Sequence, residues 1–146
     1  MEKIILDSAI KFGAGRYRQE EHLLEQCGEE IARFSKKAFL LAGNTAFSVT
    51  KDRLLPGIEA AGVDYTIELY QGPCSYEAAA ELGKKALHLG CDEIVGIGGG
   101  VIMDLAKATA ESAHLGCVNI PTSISTCAAF TTMSVMYTPE GAKKDC

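Results

Sequence analysis

A basic stripe is missing from this sequence. Its 14 Lys and Arg are outnumbered by 19 Asp and Glu, for a formal charge of -5, and the basic residues are scattered among the acids. Counterion release from a nucleic-acid backbone needs clustered cations, so nucleic acid is not expected as a partner. Long apolar runs are missing as well. Stretches such as Ala38-Phe39-Leu40-Leu41-Ala42 fall far short of the ~20 residues that cross a bilayer. The start, Met1-Glu2-Lys3-Ile4-Ile5-Leu6-Asp7, has no basic region ahead of a long apolar segment. The expectation is a cytoplasmic protein that does not bind membranes.

Closely paired cysteines are absent too. Cys27, Cys74, Cys91, Cys117, Cys127 and Cys146 show none of the two-to-four-residue spacings of a zinc knuckle, and a chain that is 47% hydrophobic can build a core without disulfide staples. Free thiols are expected. His22, His88 and His114 lie far apart in helical patterns with no acid or cysteine cluster beside them, which makes them solvated surface residues and leaves no metal constellation. Internal repeats, low-complexity tracts and linkers are lacking, so the 146 residues read as one folding unit.

What is present is an alternation of short apolar runs with longer helical patterns, the rhythm of a parallel α/β sheet. Strands are expected at Lys3 to Leu6, Lys37 to Ala42, Asp64 to Tyr70, Asp92 to Ile97, Cys117 to Ile120 and Thr131 to Thr138. Between them, Leu23, Leu24, Cys27, Ile31 and Phe34 recur at helical spacing within about residues 19–34. Thr45 or Ser48 is placed to cap a helix through Leu54 and Leu55 to Ala60, with Gly62 as its stop. Ser75 reads as the N-cap of a helix running to Leu89, closed by Gly90. A helix opened by Gly98 to Gly100 is expected to end near His114, with Gly116 as its stop.

The glycines at that last helix start are the most informative feature. Ile94-Val95-Gly96-Ile97-Gly98-Gly99-Gly100 joins a hydrophobic strand to an alanine-rich helix, so the backbone can approach a phosphate closely while the first amides and the helix dipole face it. The spacing is neither the dinucleotide fingerprint GxGxxG nor a P-loop. A tight strand-to-helix turn without a ligand accounts for the glycines equally simply. Asp104 and Lys107, at i and i+3, read as a surface pair worth about 0.2–0.5 kcal/mol.

Taken together, Gly98-Gly99-Gly100-Val101-Ile102-Met103-Asp104-Leu105-Ala106-Lys107 and the block Ile120 to Thr138 resemble the GGGxxxDxAK and PTxxSTDAPxSxLSVxYT motifs of the iron-containing (group III) alcohol dehydrogenases, in their glycerol dehydrogenase branch. Phe12-Gly13-Ala14-Gly15 is similar to that family's early glycine turn. The resemblance implies a Rossmann-like parallel sheet with helices on both faces, the N-terminal domain type shared with dehydroquinate synthase, over residues 1–146. It implies hydride transfer between an alcohol or polyol and NAD or NADP. Gly98, Gly99, Gly100 and Asp104 would bind cofactor at the helix start, Thr122 and Ser125 would contact it from the loop, and Thr131, Met133 and Tyr137 would line the nicotinamide side. A divalent metal, Zn or Fe, would be held by an Asp and two or three His of a helical C-terminal domain, and that domain is absent from residues 1–146. No catalytic residue is assigned. A homo-oligomer is expected, and the 146 residues alone are expected to be inactive.

Two positions depart from the pattern. Cys127 stands at the substrate-binding place where glycerol dehydrogenases carry an aspartate, and a thiol is a weak, uncharged hydrogen-bonding group. Gly43 follows the strand where an NAD-preferring relative often has an acid for the ribose, which leaves room for the 2′-phosphate of NADP. The alternatives are a stand-alone nucleotide-binding module, and the dehydroquinate synthase or glycerol-1-phosphate dehydrogenase chemistry of relatives sharing this first half.

Overall fold

A computed structural model describes residues 13–146, so the strand expected at Lys3 to Leu6 lies outside the described residues. The order is α1 (Leu23–Ala32), β1 (Lys37–Ala42), α2 (Asn44–Ala60), β2 (Asp64–Leu69), α3 (Tyr76–His88), β3 (Glu93–Gly98), α4 (Gly100–Ala113), β4 (Gly116–Pro121), β5 (Met136–Tyr137) and β6 (Lys143–Asp145). The first four strands form one sheet in the order β2-β1-β3-β4, with every pairing parallel. β5 and β6 pair antiparallel as a separate two-stranded ribbon.

Strand periodicity divides the core in two. Phe39 and Leu41 of β1 and Ile94 of β3 face one side, where Ala79, Leu82 and Ala86 of α3 and Leu105, Ala106 and Ala110 of α4 cover them. Ala38, Leu40 and Ala42, with Val95 and Ile97, face the other side, against Cys27 and Ile31 of α1 and Leu54 and Ile58 of α2. Helices therefore cover both faces, which is why β1 and β3 read as continuous apolar runs instead of alternating ones. The expected Rossmann-like arrangement is present.

Glycine allows two of these helices to approach closely. A Cβ at Gly28 of α1 would stand 2.0 Å from the carbonyl oxygen of Gly57, and one at Gly57 would stand 2.3 Å from the carbonyl oxygen of Glu25. Backbone meets backbone where α1 crosses α2.

The helix ends show where local sequence cues hold. Ser75 caps α3 as expected, its Oγ accepting from the Ala78 amide at 3.1 Å. α2 differs from expectation: its N-cap is Gly43, which has no side-chain cap, while Ser48 Oγ donates to the Thr45 carbonyl within the helix. α4 stops at His114 in the left-handed region, φ 55°, and Gly116 begins β4 instead of ending the helix. His22 is also left-handed, φ 61°, and precedes α1. All six cysteines are unpaired thiols. The strand expected over Thr131 to Thr138 shrinks to Met136–Tyr137, because side chains of α4 hold the residues before it by hydrogen bonds and no neighbouring strand does.

Candidate functional site

Sheet order places the site. From β1 the chain moves to β2 on one side and then returns to β3 on the other, so the connections leaving β1 and β3 diverge and open a crevice at their carboxyl ends. Gly43 follows β1 and Gly98 ends β3, and the Gly43 amide donates to the Ile97 carbonyl at 3.3 Å. A cavity of about 420 Å³ opens there, lined by Gly43, Asn44, Thr45, Tyr70, Gln71, Gly98, Gly99, Ile102 and Thr122, among others.

Two helix N-termini meet at this crevice. α2 starts at Asn44 and α4 at Gly100; neither has a side-chain cap, and neither carries an acid in its first turn. The first intrahelical bond of α4 runs from the Met103 amide to the Gly99 carbonyl at 3.0 Å, which leaves the amides of Gly100, Val101 and Ile102 without helical acceptors. α3, whose start lies elsewhere, has both the Ser75 cap and Glu77 in its first turn. The uncapped, acid-free ends of α2 and α4 thus present positive potential to the crevice.

The glycines separate into two groups by what surrounds them. A Cβ at Gly96 would lie 2.6 Å from that of Ala106, and one at Gly98 would lie 2.8 Å from that of Ile102, so both let α4 pack onto β3. Gly99 serves no such purpose. Its φ of -88° and ψ of -167° suit any residue, and a Cβ there would find only Ser123 Cβ, at 4.0 Å. Gly100 is intermediate, with Thr126 Oγ1 3.3 Å from its would-be Cβ.

Of the residues that the resemblance singles out, Gly98, Gly99 and Thr122 share the cavity. The Thr122 amide donates to the Gly98 carbonyl at 2.9 Å, which fixes the start of the hydroxyl loop beside the glycine turn. Ser125 is exposed and its Oγ lies 2.9 Å from that of Ser123. Cys127 is exposed, and its carbonyl accepts from the Phe130 and Thr131 amides at 2.9 and 3.0 Å. Met133 is exposed. Tyr137 lies in β5, packs against the α3/α4 side of the core, and donates its amide to the Cys74 carbonyl at 2.7 Å. Thr131, Met133 and Tyr137 do not line the cavity.

Asp104 is 8% exposed. Its Oδ1 lies 3.0 Å from Lys107 Nζ and its Oδ2 accepts from the Val135 amide at 3.1 Å. The Asp104–Lys107 pair is therefore an enclosed contact between helix and loop, which corrects its reading as a solvated surface pair. Sequence reasoning also passed over Asn44, Thr45, Tyr70 and Gln71. They follow β1 and β2 at the sheet's carboxyl end, and that position is the signal that could have found them. Burial raises the Tyr70 phenol above its usual range, helped by Cys74 and Glu81, so it stays neutral and donates to the Pro73 carbonyl at 2.7 Å.

Among the described residues, no group of three or more His, Cys, Asp and Glu side chains could hold a metal. No helix among them is long and apolar enough to cross a membrane.

The family model of the iron-containing alcohol dehydrogenases matches residues 14–146. A glycerol dehydrogenase of Pseudomonas putida is 31% identical over 136 residues, covering 93% of this chain and 37% of that protein. Hydroxycarboxylate dehydrogenase A of Escherichia coli is 33% identical over 107 residues, covering 72% of this chain and 28% of that protein. The crystal structure of a probable glycerol dehydrogenase from Sinorhizobium meliloti superposes with a TM-score of 0.81 at 28% identity, over 94% of this chain and 37% of that one. The chain spans about a third of the length of the curated relatives it matches. With the family model covering all but the first 13 residues, this chain belongs to the iron-containing alcohol dehydrogenase family.

Proposed function

We propose that residues 1–146 form the nucleotide-binding domain of an oxidoreductase that moves hydride between an alcohol or polyol and NAD or NADP. The supporting observation is Gly99, a glycine required neither by its backbone angles nor by its neighbours, at the uncapped start of α4 in the sheet's crevice. A ligand that passes where a Cβ would project explains it, and the free amides of α4 suit the pyrophosphate of a dinucleotide. When bound, the nicotinamide supplies the hydride acceptor or donor.

The chain's own residues bind and orient in this scheme. Gly98, Gly99 and Gly100 bring the backbone to the phosphates, and Thr122 and Ser125 offer hydroxyls from the loop. Asn44, Thr45 and Gln71 are the polar groups facing the adenosine half. Gly43 places no carboxylate at the end of β1, so a 2′-phosphate meets no like charge and NADP is accommodated as readily as NAD. Cys127 stands on the substrate side, where its thiol gives a diol no charged acceptor. The described residues provide no ligand set for a divalent Zn or Fe; in this reading those ligands come from chain outside residues 1–146, and the complete enzyme is a cytoplasmic homo-oligomer.

Gly99→Val tests the reading. A Cβ has room there, and the main cost is a poorer N-cap, so the melting temperature should fall by no more than about 4 °C, roughly 1 kcal/mol for a domain of this size. Affinity for NAD and NADP should fall tenfold or more, about 1.4 kcal/mol. Calorimetric titration that finds unchanged affinity on a folded variant removes the nucleotide from this turn.

A further inference from the structure

The loop from Thr122 to Val135 has no strand ladder to hold it. Its first part is fixed by the Thr122 bond to Gly98 and by the closeness of Ser123 and Thr126 to Gly99 and Gly100. Its second part is held mostly from below. Lys107 Nζ donates to the carbonyls of Ala128 at 2.9 Å and Thr131 at 3.0 Å, and to that of Met133. Asp104 accepts from the Val135 amide at 3.1 Å, and Ser134 Oγ donates to the Asp104 main-chain carbonyl at 2.9 Å. Lys107 and Asp104 side chains are only 13% and 12% exposed.

A lysine that merely neutralised Asp104 would need none of these carbonyls. Here one ammonium gathers three carbonyls spread over six residues of loop, while its partner acid holds the Val135 amide two residues on. Both residues project from the helix whose first turn is the glycine site, so loop and glycine turn are referred to one rigid element.

We propose that Asp104 and Lys107 are positioning residues, a latch that sets the second half of the loop, and with it Cys127, Thr131 and Met133, at a fixed distance from the nucleotide's phosphates. This rests on the nucleotide reading above. The latch acts on the half of the ligand beyond the phosphates and leaves the adenosine half to the crevice.

The test uses ADP, which reaches the crevice, the glycine turn and only the first part of the loop, alongside NADH and NADPH, which also reach its second part. In Lys107→Met, NMR should show amide exchange at Thr131 and Val135 at least tenfold faster, with β1 and β3 amides unchanged. Affinity for the better of NADH and NADPH should fall about tenfold while ADP affinity stays within twofold, and Lys107→Arg, which keeps the cation and several donors, should recover part of the loss. A general loss of structure would weaken ADP and the dinucleotides together. Unchanged exchange rates, or ADP and dinucleotide affinities falling in step, overturns the latch. If Lys107→Met does not fold, Asp104→Asn, which keeps an oxygen for the Val135 amide and removes the charge opposite Lys107, should give the same split at about threefold, and its absence there overturns the latch equally. An unaltered chain that binds neither ADP nor dinucleotide defeats the nucleotide reading and the positioning role with it, while faster exchange in Lys107→Met would still identify what holds the loop.

Discussion

Replacing Glu93 by glutamine isolates a charge that the fold is built to keep neutral. Glu93 opens β3 with 4% of its surface exposed, and its Oε2 is buried without a hydrogen-bond partner. The absence of a side chain at Gly116 leaves it room, since a Cβ there would lie 2.9 Å from Glu93 Oε1. Burial, and then the neighbouring charge of Asp92, push its carboxyl from 4.5 up to about 7. Asp92 itself remains ionised. Partial desolvation of this exposed carboxylate is outweighed by bonds from Ser35 Oγ at 2.7 Å and the Lys36 and Lys37 amides at 2.9 and 3.1 Å, which hold it below its usual value. Between the two Glu93 values the folded chain retains a proton that the unfolded chain has released, so stability is full at lower pH and declines as pH rises through about 7. At about 1.4 kcal/mol per pH unit the interval corresponds to about 3 kcal/mol, and with an m-value of about 2 kcal/mol/M that is about 1.5 M urea in the midpoint. Urea denaturation from about pH 4.5 to about pH 8 should show this decline in the unaltered chain and its removal in Glu93→Gln, the variant being the more stable at the alkaline end. Parallel pH profiles for the two proteins would mean that Glu93 ionises like a surface acid and that its burial costs nothing.

Gly28→Ala sets two effects against each other. Alanine gains about 1 kcal/mol of helix propensity, but its Cβ would sit 2.0 Å from the Gly57 carbonyl oxygen, and overpacking against backbone costs about 3 kcal/mol; the clash should win by about 2 kcal/mol in urea denaturation, and a stabilised variant would show that α1 and α2 do not cross at these glycines. Gly43→Asp should act in two ways at once. Its Cβ would meet Ile102 Cγ1 at an ordinary 3.6 Å and the carboxylate can cap α2, adding a few tenths of a kcal/mol, while like-charge repulsion should lower NADPH affinity relative to NADH by about tenfold, about 1.4 kcal/mol. An unchanged affinity ratio would place the ribose away from the end of β1.

The sheet was legible because its two central strands, β1 and β3, are buried on both faces and its turns carry their own signals. Lys37 to Ala42 could be read from composition alone, and Ser75 and Gly90 bracket α3 as local chemistry dictates. The failures share a different cause. Gly43 begins one helix and His114 ends another through backbone geometry that no side chain announces. The alternation from Thr131 to Thr138 imitates a strand, but before Met136 its main-chain groups are taken by Lys107 and Asp104 and not by a neighbouring strand. At the candidate site the glycine turn stood out in the sequence. The latch did not, since i, i+3 spacing looks the same for an enclosed pair as for one in water.

The run from Gly96 to Gly99 holds glycines in two different physical settings. Gly96 and Gly98 are constrained by Ala106 and Ile102 of the same chain, so any descendant that keeps the fold must keep them. Under the proposed nucleotide reading, Gly99 answers to what enters the crevice. A lineage that gave up its nucleotide while retaining its architecture should let position 99 drift and leave 96 and 98 in place, which makes that one residue an indicator of retained binding where overall likeness is not.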